Sequence, residues 1–140
     1  MTITRYLGSQ QSIIIPAAID GKKVKRIEGS IGSLRLSVFF PHKDLVKSIN
    51  IEDGIEVIAE RAFLECRNLK TVLIPATLTE IGREAFSGCC SLVSLMIPAG
   101  VTKIGSNAFE GCSSLTIQAP EGSYAIDYAR ENKIKYVETR

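Results

Sequence analysis

Four cysteines and a single histidine are the residues of this chain best suited to nucleophilic or metal chemistry. Cys66, Cys89 and Cys112 recur at a fixed interval of 23 residues, and Cys90 stands one place off that phase. A zinc site wants closely spaced cysteine pairs or histidines nearby, and a ladder of this interval supplies neither. Equivalent residues of stacked repeats lie roughly 4.8 Å apart. That brings neighbouring Cα atoms within disulfide reach but aims parallel side chains poorly at one another. The expectation is reduced, buried thiols packed like small hydrophobes, with one disulfide as the alternative and a metal as a more distant one. Cys90, off-phase, is expected to be a partly exposed, inert thiol. His42 stands alone between Pro41 and Lys43. A base there would need a nucleophile and an orienting partner, and no serine or cysteine motif provides them. Glycine-rich phosphate loops and paired-carboxylate signatures are absent as well, and Glu52-Asp53 reads as a solvated turn. The expectation is no catalytic residue, no cofactor and no metal.

The interval matters more than the thiols it carries. Ile51, Ile74 and Ile97 share its phase, as do Ile58, Ile81 and Ile104 and the dipeptides Ala62-Phe63, Ala85-Phe86 and Ala108-Phe109. A period of this length marks stacked supersecondary units that bury their apolar faces on one another and leave long surfaces in solvent. Residues 49–71, 72–94 and 95–117 form three regular repeats. Each is entered by an apolar-x-x-apolar-x-apolar run (Val46 to Ile51, Leu69 to Ile74, Leu92 to Ile97), the alternation of a short strand. Turns follow at Asp53-Gly54, Pro75-Ala76 and Pro98-Ala99-Gly100, and proline ends a strand because it cannot donate to the ladder. A second extended piece runs through Ile55 and Ile58, Leu78 and Ile81, Val101 and Ile104. The Ala-Phe dipeptides then have room for about one helical turn, with alanine allowing close approach and phenylalanine filling the core. A Cys-x-x-Leu segment returns the chain to the next strand. Parallel crossovers are nearly always right-handed, so the coil is expected to be right-handed.

Both ends depart from the pattern. Ser12-Ile13-Ile14-Ile15-Pro16 matches Thr71-Val72-Leu73-Ile74-Pro75, and Val24 and Ile27 match Leu78 and Ile81. Beyond Ile27 the match fades, with Ile31-Gly32 in place of Ala-Phe and an extra apolar alternation from Leu34 to Phe40. Residues 1–48 therefore read as an atypical coil and N-terminal cap, 49–117 as the regular repeats and 118–140 as a C-terminal cap. In the last, Ile117 to Pro120 predicts a strand, Gly122-Ser123 a cap for a helix from Tyr124 to about Asn132, and Ile134 to Val137 a final strand. Roughly five coils are expected in all. Atypical terminal units shield core and strand edges that an open solenoid would expose.

Composition is permissive. The chain has 140 residues, 45% of them hydrophobic, enough for a core of its own, and a net charge of +2 with the signs interspersed. No basic run suggests a nucleic-acid or membrane-surface footprint, and no apolar run approaches a membrane span. The N-terminus lacks the charged and apolar regions of a secretion signal, which fits a cytoplasmic protein or one whose leader has been left off.

Written out, the repeat is I-P-x-x-hydrophobic-x-x-I-G-x-x-A-F-x-x-C-x-x-L. Ile74-Pro75, Ile81-Gly82, Ala85-Phe86, Cys89 and Leu92 follow it, and Ile97-Pro98, Ile104-Gly105, Ala108-Phe109, Cys112 and Leu115 follow it again. In this the chain resembles the BspA-like, or treponemal-type, leucine-rich repeats, as does the tail from Gly122-Ser123-Tyr124-Ala125 to Tyr128-Ala129. Glu52 in place of proline and Ala59 in place of glycine are departures in the first regular repeat. The resemblance implies an α/β repeat solenoid: a right-handed leucine-rich-repeat coil with short parallel strands on a concave face, short strands and single turns on the other sides, and a helical C-terminal cap. It also implies a bacterial surface or adhesion protein that binds host or microbial macromolecules, and no catalytic residues, because its motif consists of core positions.

Recognition then falls to the outward residues between core positions. These are Lys47, Ser48 and Asn50 in one strand, Lys70, Thr71 and Leu73 in the next, and Val93, Ser94 and Met96 in the third. Stacked, they build a sheet face with Leu73 beside Met96 over a hydroxyl column. Exposed apolar pairs of this kind mark interfaces, and methionine adapts to varied partners; the plainer reading is a pair without a role, or one covered by the N-terminal segment. Phe63, Phe86 and Phe109 fall at core phase and form a buried spine, not a stacking platform for nucleic acid. The sequence thus predicts a non-catalytic module binding a protein or glycan. A structural spacer in a longer surface protein is the first rival, and a small enzyme using His42 or Cys90 the second.

Overall fold

The computed structural model describes residues 2–3, 10–29 and 43–140. His42 and the apolar segment 34–40 lie outside them. In chain order the elements are β1 (Thr2–Ile3), β2 (Ser12–Ile15), β3 (Ala18–Ile19), β4 (Lys22–Lys23), β5 (Arg26–Ile27), β6 (Ser48–Ile51) and β7 (Val57–Ile58). They continue with β8 (Thr71–Leu73), β9 (Glu80–Ile81), β10 (Ser94–Met96), β11 (Lys103–Ile104), β12 (Thr116–Pro120), α1 (Tyr124–Glu131) and β13 (Lys135–Thr139). The chain winds them into a right-handed leucine-rich-repeat solenoid of about four turns with a short helix near its C-terminus.

Each coil contributes to three stacks. On the concave face, parallel strands pair in the order β2-β6-β8 and again β10-β12-β13; on the adjoining side β1-β5-β7-β9-β11 forms one continuous parallel sheet. The third stack is made of turns, in which alternate residues reach the next coil: Arg61, Phe63 and Glu65 N–H donate to Arg83, Ala85 and Ser87 carbonyls at 2.7–3.0 Å. Glu84, Phe86 and Gly88 repeat the pattern onto Ser106, Ala108 and Glu110. Within a turn, Cys66 N–H closes back onto Phe63 O. Left-handed backbone at Arg61, Glu84 and Asn107 (φ 59°, 54° and 56°) prevents any of these turns from growing into a helix. The strain at Arg61 and Glu84 is over-determined by their coil-to-coil bonds and by the ion pair between their side chains, of which Glu84 is buried. A second left-handed place recurs at Glu65, Gly88 and Gly111.

Apolar positions of the period all face inward. Phe63 and Phe86 stack with centroids 5.1 Å apart, Phe86 and Phe109 at 5.5 Å, and Tyr128 of α1 meets Phe109 edge-on at 6.2 Å, so the cap extends the spine. Ile49, Val72, Leu95 and Ile117 form the matching column beneath the concave strands.

Among the described residues the coils number about four, short of the roughly five that the period suggests, and β12 leads into α1 instead of a further side strand. The helix lies across β11, and the Tyr128 hydroxyl donates to Gly105 O at 3.1 Å. Its inner face is Ala125, Ile126, Tyr128 and Ala129. Ser123 occupies the N-cap position but its hydroxyl makes no cap bond; it is buried without a partner, and the carbonyl of Ser123 receives the first helical N–H bonds instead. At the other end, the antiparallel β3–β4 hairpin turns on left-handed Asp20-Gly21 (φ 50° and 75°), a strong two-residue hairpin signal that the repeat pattern does not contain.

Candidate functional site

Strand pairing on the concave face sets residues into rows. Ser12, Ser48 and Thr71 lie in register, as do Ser94, Thr116 and Lys135. Two residues along, the register aligns Ile14 with Asn50 and Leu73, and Met96 with Gln118 and Val137. Alternation turns both rows outward, since Ile13, Ile49, Val72, Leu95 and Ile117 between them are buried. Exposure is high for aliphatic side chains: Ile14 64%, Leu73 58%, Met96 60%, Val137 50%, with Val93 at 59% just before its strand. Lys47, Asn50, Lys70, Thr71 and Ser94 are exposed too, and Ser48 is half-buried.

Of the nine residues named from the sequence, Ser48, Asn50, Thr71, Leu73, Ser94 and Met96 lie in the concave strands, and Lys47, Lys70 and Val93 immediately precede them. The N-terminal strand does not cover the Leu73–Met96 pair; β2 extends the row by adding Ile14. Sequence reasoning missed Ser12 and Ile14 at one end and Thr116, Gln118, Lys135 and Val137 at the other. Matching of Ser12–Pro16 to Thr71–Pro75 already held the signal for Ile14, which falls opposite Leu73. One expectation of a continuous sheet is corrected: β8 and β10 run side by side without a ladder between them, so the concave strands form two sheets that meet between Leu73 and Met96. Side strands and turns remain hydrogen-bonded across the same two coils.

Among the described residues, no convergent catalytic group accompanies the face. Cys90 is exposed, with its sulfur 3.6 Å from Arg67 O. Among the described residues, no group of His, Cys, Asp or Glu has the arrangement to hold a metal ion. A cavity of about 180 Å³ behind the cap is lined by Asn107, Phe109, Tyr128 and Asn132. A second, of about 380 Å³, lies over the side sheet among Arg26, Glu80, Arg83 and Lys103; Glu80 pairs with Lys103, Arg83 with Glu84 and Arg26 with Glu28.

The three in-phase cysteines are buried free thiols, and Cys89 and Cys112 donate to Phe63 O and Phe86 O at 3.2 Å. Burial pushes the Cys89 thiol well above its ordinary range and Cys112 up to about 11. A thiol reagent at pH 8 should therefore modify Cys90 rapidly and alone, and all four cysteines only after unfolding; a second fast thiol in the native protein would contradict the burial. The same shift makes stability pH-dependent. Unfolded Cys112 ionises above the ordinary thiol pKa of 9.0 while folded Cys112 keeps its proton to about 11, so the folded state binds more protons in that window. Stability should fall as pH rises across it, by about 1.4 kcal/mol per unit at most. Urea titrations should show a shallower alkaline slope for Cys112→Ala than for wild type.

A coil of short parallel strands, an isoleucine and phenylalanine core and an open outward face define a leucine-rich-repeat protein. The family profile of the BspA type leucine rich repeat region, in six copies, matches residues 36–130, and the chain belongs to that family. Its fold is similar to that of a leucine rich repeat protein from T. pallidum (29% identity, TM-score 0.64), covering 84% of this chain and 62% of that one. It is similar too to a leucine rich cell surface protein from Faecalibacterium prausnitzii (27% identity, TM-score 0.71), covering 99% of this chain and 36% of that one. A Bacteroides ovatus leucine-rich repeat protein at 23% identity and TM-score 0.50, with 93% of this chain and 42% of that one covered, shares the fold. The chain thus spans less than two thirds of the length of each. A search among curated proteins returned no significant match.

Proposed function

We propose that this chain is a non-catalytic binding module that recognises a protein or glycan through its concave strand face, as part of a bacterial surface protein. The observation that carries the reading is the row Ile14, Leu73, Met96 and Val137, four aliphatic side chains at least half exposed, Ile14 and Leu73 in the register of one sheet and Met96 and Val137 in that of the sheet beside it. An exposed, ordered apolar row on a rigid sheet costs solubility and gains value once a partner covers it. The surface location is supported by the F. prausnitzii neighbour, a leucine rich cell surface protein.

Photo-crosslinking tests the face. A benzoyl-phenylalanine placed at Asn50 should capture a partner, and one at Thr79, on the side sheet, should not. Once that partner is identified, Leu73→Asp with Met96→Asp should weaken its binding at least tenfold while leaving the melting temperature unchanged, because both side chains are in solvent. Unaltered affinity in a folded double variant would refute the assignment.

A further inference from the structure

Charge pairing is unevenly distributed over this solenoid. Cations on the side and turn stacks have carboxylates: Lys25 with Glu56 at 2.8 Å, Lys103 with Glu80 at 3.3 Å, and Arg67 with Glu65 at 2.8 Å. On the concave face the charged residues flanking or joining the two outward rows are Lys47, Lys70 and Lys135. All three are exposed, and among the described residues no ion pair engages them. Of the carboxylates near the border, Glu52 accepts from Ala17 N–H at 2.9 Å, and Glu138, next to Val137 in β13, pairs with Arg130 at 3.7 Å. The face is therefore aliphatic and hydroxylated, with uncompensated positive charge along it.

The rows also lack what sugars and bases stack on. Phe63, Phe86 and Phe109 are core, and Tyr128 is buried against Phe109. Tyr136, in register with Ile117 and not with the outward rows, is 38% exposed and its ring is covered by the Arg130 guanidinium at 5.7 Å. No aromatic side chain belongs to either outward row. Saccharide and nucleobase faces call for such platforms, whereas aliphatic side chains seat on Leu73 and Met96 without them. The hydroxyls of Ser12, Thr71 and Ser94 and the amides of Asn50 and Gln118 offer both donors and acceptors at the spacing of successive strands, roughly 4.8 Å. A helix satisfies its own backbone and has little use for them. An extended segment has unmet N–H and C=O groups along its whole length.

Building on the concave-face reading, we infer that the partner is a protein, and that the part of it bound here is an extended acidic segment with aliphatic side chains, laid across the strands. Its carboxylates face Lys47 and Lys70, its apolar side chains cover Leu73 and Met96, and its backbone bonds to the hydroxyl row. From Ile14 to Val137 the row crosses two three-stranded sheets lying side by side, a span on the order of 24 Å, which a segment of roughly seven to eight extended residues covers. Electrostatic complementarity of this type speeds encounter and sets partner choice.

Fluorescence anisotropy with labelled twelve-residue peptides tests the inference on the full chain. The probes are alternating Leu and Glu, alternating Leu and Lys, and alternating Ser and Glu. A panel of neutral oligosaccharides runs in parallel by calorimetry. The Leu/Glu peptide should bind at least tenfold more tightly than either other peptide and weaken as salt rises. Lys47→Gln with Lys70→Gln should cost about tenfold for that peptide and flatten the salt dependence, with the melting temperature unchanged. Equal binding of the Leu/Lys peptide, or no peptide binding at all, would overturn the inference. If instead an oligosaccharide binds and Leu73→Asp with Met96→Asp abolishes it, the acidic-peptide assignment fails while the concave face stands. If the Leu/Glu peptide binds and that double variant leaves it untouched, both fail.

Discussion

Phe86→Ala is expected to lower stability by about 3–5 kcal/mol, a large share of the margin of a domain this size. Phe86 is fully buried, with a phenylalanine stacked on each side at 5.1 Å and 5.5 Å. Its removal opens a cavity that the neighbours cannot close, because Phe63 and Phe109 are held in place by their own coils. Repeat proteins add a second cost: stability resides largely in contacts between adjacent coils, so a defect in the middle weakens two interfaces at once. Urea unfolding followed by circular dichroism should show a fall in midpoint, with a loss of cooperativity as the halves decouple. Phe109→Ala should cost less, since that ring has one phenylalanine neighbour and is already 5% exposed beside the cap. A change under about 1 kcal/mol at Phe86 would contradict its place in the spine.

Gly82→Ala should be comparably damaging for the opposite reason. Gly82 is not in the left-handed region; it is glycine because of space. A Cβ there would stand 2.5 Å from the backbone carbon of Ala59 and the backbone nitrogen of Glu60, neither of which can rotate away. The coils would have to part, and the bond from Gly82 N–H to Ile58 O at 2.7 Å holds them together at that place. Overpacking of this kind costs about 1–3 kcal/mol when side chains can yield and more when the obstacle is backbone; about 3 kcal/mol or greater is expected. Gly100→Ala is the control, since its nearest obstacle is Leu78 O at 3.3 Å, and it should change stability by under about 1 kcal/mol. Similar melting curves for the two variants would show that coil spacing is not set at Gly82.

One coil before Gly82 the equivalent place is Ala59, which carries a methyl group; there the close approach falls to Gly29, where a Cβ would meet Arg61 O. Glu65 departs in a different way. It holds the left-handed conformation that Gly88 and Gly111 adopt one and two coils on. Its carboxylate pairs with Arg67 at 2.8 Å and lies where a Gly88 side chain would go.

How much of the protein its sequence made legible follows from this division. Columns of isoleucine, phenylalanine and cysteine could be read because burial depends on residue type at a fixed spacing, and that spacing is written along the chain. The left-handed positions at Arg61 and Glu84 could not, because neither residue type favours that conformation and only the coil-to-coil bonds impose it. The Ser123 cap failed for a related reason: the residue type was right, but its hydroxyl is enclosed by packing that no local pattern describes.

By itself, then, the sequence determined the solenoid, its core spine, the helical cap and the three central strands of the concave face. Its 23-residue period is the register of those strands, so Asn50 beside Leu73 needs no further information. Tertiary structure alone decided how far the face extends. β2 pairs with β6 across an offset of 36 residues and β13 with β12 across 19, intervals that no repeat contains. Those two pairings bring Ile14 and Val137 into the row and Lys135 to its border. Hydrogen bonding and core packing across the insertions select the register, and chain distance does not.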